Sequence, residues 1–178
     1  MTEQEIYDQL SAPFATALIS WRVGPTNEKS RKPDEPVRGQ PLCYVDARTV
    51  MDRLDAVVGF ENWQCNYTHG AGAGGIVCNL GIRIAGEWIW KADGAGATDM
   101  EAEKGALSDA FKRAAVRFGI ARYLYDLKAP WMVLEQRGRA TFIPEAAQQE
   151  LRAIYNRFAR TLIAAPAKGE DNEREAGR

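Results

Sequence analysis

The chain has 178 residues, with 23 Lys and Arg against 24 Asp and Glu, a single His and a formal net charge of −1. That length predicts one domain with a core of its own, and 46% hydrophobic residues with 10% aromatics exclude a disordered or fibrous chain. Near-neutrality excludes a protein that coats nucleic acid by bulk charge, but it leaves room for a local basic stripe.

The opening MTEQEIYDQL is acidic and amphipathic, unlike a signal peptide. Thr2 ahead of Glu3 and Glu5 predicts a capped helix that Pro13 stops. Residues 17–23 read as extended. The stretch from Gly24 to Pro41 carries four prolines and seven charged residues and reads as a long exposed loop. Asp46 predicts an N-cap for a helix whose apolar face is Val50, Leu54, Val57 and Val58, closed by Gly59.

The period then changes. Residues 63–69, 75–85 and 87–95 alternate like strands, and HGAGAGG and Ala85–Gly86 supply turns for a three-stranded antiparallel meander. Trp88 and Trp90 share a face of the third strand. A sheet covered by a helix would bury such a pair, although paired indoles also offer a stacking surface for bases. A helix follows, capped by Thr98 or Asp99 and closed by Gly119, with Leu107, Phe111, Ala114 and Phe118 as its core stripe. A small hairpin (VLEQRGRATFI) and a helix from Pro144 to about Ile163 complete a domain expected over residues 1–163. The polar residues 164–178 are expected to be disordered. The order of elements predicts an α+β fold.

Enzymatic chemistry finds little support. His69 stands alone beside a glycine-rich turn, which argues against a nucleophile–His centre. Asp99 and Glu101 would point about 200° apart on a helix, so with Glu103 they cannot converge on one metal ion. The run ADGAGATD (92–99) leaves a strand and enters a helix, as phosphate-binding loops do. It lacks the third small residue of a dinucleotide fingerprint, and its acidic helix entrance repels phosphate. Cys43, Cys65 and Cys78 are an odd number without CxxC spacing, so neither zinc nor a disulfide is expected and a reducing compartment fits. The stretch from Ala71 to Trp90 is interrupted by Asn79, Arg83 and Glu87, so no membrane span is expected.

Charge is unevenly placed. Residues 104–139 hold Lys104, Lys112, Arg113, Arg117, Arg122, Lys128, Arg137 and Arg139 against Asp109, Asp126 and Glu135, a net +5 that leaves −6 elsewhere. Arg113 and Arg117 are neighbours on one helix face. They form either a solvated face paired to Asp109 or a grip for successive phosphates.

The run EKGALSDAFKRAAVRFG (103–119) resembles the signature helix of the Rad52-type single-strand annealing proteins. CYVDARTVMDRLDAVVGFENW (43–63) is similar to that family's tyrosine-containing segment and following helix. LSAPFATALISWRVG (10–24) and ARYLYDL (121–127) also fit, so the resemblance covers about residues 5–130 in order.

The resemblance implies a β-β-β-α core, assembly into a homo-oligomeric ring or helix, and ATP-independent annealing of complementary DNA strands in recombination and repair. It implies single-stranded DNA as the partner, no cofactor, no catalysis, a cytoplasmic location at the nucleoid, and other recombination proteins as candidate partners. Lys112 and Arg113 match the family's DNA-contacting Lys-Arg, and Arg22 its basic residue in the early extended segment. A further family position falls on Val116, with Arg117 as the adjacent basic residue; Arg48, Arg83 and Lys91 are additional candidates. Two other readings stand beside this one. A metal-dependent nuclease or nucleotide enzyme would use residues 93–103, and an assembly scaffold would use the basic helix for subunit contacts.

Overall fold

The computed structural model describes residues 1–70, 75–96, 100–138 and 140–164, with the side chains of 100–104 outside that description. The turn residues 71–74, the cap expected at Thr98 or Asp99, the acidic side chains of Glu101 and Glu103, and residues 165–178 of the tail expected to be disordered fall outside it.

Helix α1 (Glu3–Ser11) starts in a reciprocal cap: Glu5 N donates to Thr2 Oγ1 at 3.2 Å while Thr2 N donates to Glu5 Oε2 at 2.7 Å. After it, β1 (Ser20–Thr26) pairs antiparallel with β2 (Arg38–Tyr44), setting Arg22 opposite Leu42 and Trp21 opposite Cys43. The long loop expected from Gly24 to Pro41 is therefore wrong at both ends. Only residues 27–37 connect the strands, and within them Val37 is 3% exposed. Two prolines hid the strands. Pro25 lies on an edge strand where the register shifts, and Pro41 lies where β2 has a partner on one side only. The two-residue strand Met132–Val133 joins the other end of β2.

Helix α2 (Ala47–Val58) is capped by Asp46, whose Oδ1 accepts from Thr49 N at 2.8 Å, and it buries Val50, Leu54 and Val57. The central sheet then comes from three consecutive segments, Trp63–His69, Ile76–Ile84 and Glu87–Ala95, paired antiparallel in chain order. Ala85 and Gly86 turn the second hairpin with φ of 52° and 89°, as a two-residue turn of primed type requires. Helix α3 (Met100–Val116) crosses the second and third of these strands. It covers Cys78, Leu80 and Ile82 with Ala106, Ala110, Phe111, Ala114 and Ala115. Leu107, expected in the core stripe, is exposed instead. The stripe is built largely of alanines, which let the helix approach the sheet closely.

Trp88 and Trp90 are not core residues. They lie on the sheet face away from α3, stacked with ring centroids 6.0 Å apart, and both remain partly exposed. Gly81 faces Trp90, and a Cβ there would meet the indole at 2.9 Å, so the missing side chain makes room for the ring.

Beyond α3 come Met132–Val133, the strand that pairs with β2, and a small hairpin of Glu135–Arg137 with Ala140–Phe142. The last helix opens as a 3-10 turn at Glu145–Ala147 and becomes α4 at Gln148–Ala164, four residues after the start expected at Pro144. One apolar core runs from Ile6 through α2, the central sheet and α3 to Tyr155 and Ala159 of α4. The architecture is α+β, with antiparallel sheets and four α-helices among the described residues.

Candidate nucleic-acid interface

Pairing of β1 with β2 lifts Arg22 to one side of a cleft, and α3 forms the other side. The cleft encloses about 610 Å³. Arg22, Leu42 and Tyr44 line it from the strands, Asp109, Lys112, Arg113 and Val116 from α3, and Leu124, Tyr125 and Leu127 from the segment after α3. Arg22 thus shares one groove, over an apolar floor, with the adjacent Lys112 and Arg113 some ninety positions further along the chain. The one carboxylate in that lining is Asp109, which is paired to Lys112 Nζ at 3.1 Å. Lys112 also stands 5.6 Å from the Tyr44 ring.

Arg113 and Arg117 are held from below by a residue that sequence reasoning missed. Asp93 Oδ1 accepts from Arg113 Nε at 3.2 Å, and Oδ2 accepts from Arg117 Nε at 3.2 Å. Burial works to raise the Asp93 carboxyl. The Gly94 amide and both guanidiniums outweigh that effect and hold it below the usual carboxylate value. No sequence signal marks this contact, because it joins a strand to a helix across a segment rich in other acids. Gly94 N spends its hydrogen on Asp93 Oδ1 at 2.8 Å, so that amide of the candidate phosphate loop is already engaged.

The remaining candidates lie elsewhere. Arg117 is beside the cleft, not among its lining residues. Lys91 donates from Nζ to the Arg117 carbonyl at 3.0 Å and lies 4.6 Å from the Phe118 ring, so it caps the C-terminal end of α3. Arg122 joins it there, donating to the carbonyls of Val116 and Arg117 at 2.9 Å each. Arg83 is on the opposite sheet face, bonded through Nε to Asn62 Oδ1 at 2.7 Å, with its guanidinium 6.0 Å from the Trp88 ring. Arg48 is exposed in the first turn of α2. His69 is exposed at a strand end.

Cys43 also lines the cleft, and burial pushes its thiol up to about 12, which leaves it protonated and unreactive at neutral pH. Among the described residues no group of three His, Cys, Asp or Glu could hold a metal ion. No described helix is long and apolar enough to cross a membrane.

Residues 2–71 and 79–141 match the model of the Rad52/22 family of double-strand break repair proteins. The chain is 37% identical over 131 residues to the single-stranded DNA-binding protein DdrA of Deinococcus radiodurans, which covers 74% of this chain and 60% of that one. With the DdrA of Deinococcus deserti it shares 33% identity over 162 residues, 88% of this chain and 75% of the relative. The first match thus spans less than two thirds of its relative's length. No solved structure matches the chain. The family match takes in both walls of the cleft, from Arg22 to Tyr125, and with it the chain belongs to the Rad52/22 family of double-strand break repair proteins.

Proposed function

We propose that this protein binds single-stranded DNA in the cleft between β1–β2 and α3 and promotes ATP-independent annealing of complementary strands in recombination and repair. One observation carries the reading: Arg22 lines the same groove as Lys112 and Arg113, from which it is far removed in sequence. Both relatives, moreover, are named as single-stranded DNA-binding proteins.

The physics needs no catalytic group. Guanidinium and ammonium groups hold the phosphodiester backbone, and the bases stay unpaired for a second strand to test. Complementarity supplies both the specificity and the driving free energy. Arg117 extends the basic wall beyond the cleft, while Lys91, Arg83 and Arg48 stay outside the DNA path. The central sheet and α3 serve as the family's β-β-β-α core within one domain of residues 1–163. Three cations make a weak site, so a homo-oligomeric ring or helix, threading one strand past many copies, supplies the avidity. The protein works in the cytoplasm, at the nucleoid.

Two complementary labelled oligonucleotides, mixed with the protein without nucleotide or metal, test this. Annealing faster than the spontaneous rate, with both strands intact, supports the reading. An unchanged rate, or cleavage of either strand, overturns it.

A further inference from the structure

Gly119 and Ala121, with φ of 95° and 56°, reverse the chain after α3 and lead into a 3-10 turn at Arg122–Tyr125. This turn is fixed at several points. Arg122 binds the last carbonyls of α3, and Leu124 is buried. Tyr123 is also buried, and its hydroxyl accepts from Phe14 N at 2.8 Å. A 3-10 turn has three residues per turn, so anchoring two neighbours in the core directs the next side chain outward. That residue is Tyr125, which is 68% exposed and lines the same cleft as Arg22, Lys112 and Arg113. Its hydroxyl meets no hydrogen-bond partner among the described residues.

We infer that Tyr125 is a base-stacking residue: its ring takes the face of a nucleobase whose phosphate lies on Lys112 and Arg113. An isolated exposed aromatic ordinarily needs no explanation. This one sits at a cationic groove, on a support already rigid before any ligand arrives, so little ordering remains to oppose stacking. Leu42, Val116 and Leu127 give the groove an apolar lining suited to a flat, weakly hydrated ring. Base stacking is indifferent to sequence, as annealing requires. The inference rests on the cleft being the strand-binding site.

The test measures fluorescence anisotropy with oligo(dT) and with an abasic oligonucleotide of equal length, for the full chain and for Tyr125→Ala and Tyr125→Phe. Tyr125→Ala weakens oligo(dT) binding by about 5-fold or more and leaves the salt dependence unaltered, while Tyr125→Phe stays within about 2-fold. On the abasic strand Tyr125→Ala and the unaltered protein bind alike. Unchanged oligo(dT) affinity, or an equal loss on the abasic strand, overturns the stacking role. Arg113→Ala separates the two readings: an unaffected affinity and salt slope there defeats the cleft itself, whatever Tyr125 does.

Discussion

Asp93 holds Arg113 by its Nε at 3.2 Å, so the guanidinium that faces the cleft is tethered to the sheet beneath it. The same carboxylate takes Arg117 Nε with its other oxygen, also at 3.2 Å. One acid therefore aligns two cations a helical turn apart and cancels half of their charge. Contact through Nε leaves the outer amines of both guanidiniums without an acceptor among the described residues, in position for phosphate oxygens.

Asp93→Asn should raise affinity for single-stranded DNA at low salt, because one negative charge beneath the basic wall is gone while the amide oxygen still accepts from one of the two Nε groups. The same substitution lowers stability at neutral pH by about 0.5–1 kcal/mol, a small figure because both arginines are about half exposed. The folded-state value of Asp93 is lowered, so its contribution is complete above the ordinary aspartate value and disappears as pH falls through the lowered one. Urea unfolding should accordingly show a gap between Asp93→Asn and the unaltered protein at neutral pH that closes well below about pH 3.9. A gap of constant size would remove the ion pairs from the account.

Arg113 and Lys91 are both basic and close to the end of α3, but Arg113 lines the cleft whereas Lys91 caps the helix. Arg113→Ala should weaken single-strand binding and reduce the slope of log affinity against log salt by about 0.7, the loss of one phosphate contact. Arg22→Ala, on the facing wall, should do the same. Lys91→Ala should leave that slope unaltered and cost about 0.5–1 kcal/mol of stability, since its ammonium caps the Arg117 carbonyl. Equal salt slopes for Arg113→Ala and Lys91→Ala would refute the division.

Local rules read well from the sequence. Thr2 and Asp46 cap the helices they were expected to cap, and Ala85–Gly86 turns the central hairpin. Long-range partners were harder to see. Nothing local pairs Arg22 with Leu42, because β2 contains a proline and a glycine that speak for a loop. Trp88 and Trp90 look like core residues until it is known which face α3 covers. Asp93 lies among several acids, and only the packing of α3 on the sheet selects it for Arg113. The cations of the cleft were legible only through the resemblance, since charge counting alone favoured a solvated role for the basic helix.

Two glycines should respond in opposite ways to the same substitution. A Cβ on Gly24 would meet Leu42 Cγ at 2.5 Å and the Gln40 carbonyl oxygen at 2.6 Å, and the backbone atom cannot step aside. Gly24→Ala should therefore force β1 away from β2 and cost about 1–3 kcal/mol. It should also weaken DNA binding, because Arg22 rides on β1. Gly105, inside α3, has nothing within 4 Å of the added carbon. Gly105→Ala should stabilise by about 0.5–1 kcal/mol through helix propensity, with DNA affinity unchanged. Thermal melts of the two variants moving in the same direction would contradict both assignments.

Tyr155 closes a buried circuit that ties α4 to the N-terminal segment. Phe14 N donates to Tyr123 Oη at 2.8 Å, Tyr123 Oη lies 3.0 Å from Tyr155 Oη, and Tyr155 Oη donates to the Phe14 carbonyl at 2.5 Å. Tyr155 is 1% exposed, and burial pushes its phenol well above the ordinary tyrosine value. Tyr155→Phe leaves the Phe14 carbonyl and the Tyr123 hydroxyl each short of a partner, and should cost about 1–3 kcal/mol near neutral pH. The sign of the pH dependence follows from the raised folded-state value. Stability from the protonated phenol is complete below the unfolded value of about 10 and declines as pH climbs from there toward the folded value. Phenylalanine has no proton to lose, so the stability gap between the two proteins should narrow on going above about pH 10. Denaturant unfolding on both sides of that pH measures it, and a gap that stays constant into alkali would show that the Tyr155 hydroxyl ionises as freely within the fold as in the unfolded chain.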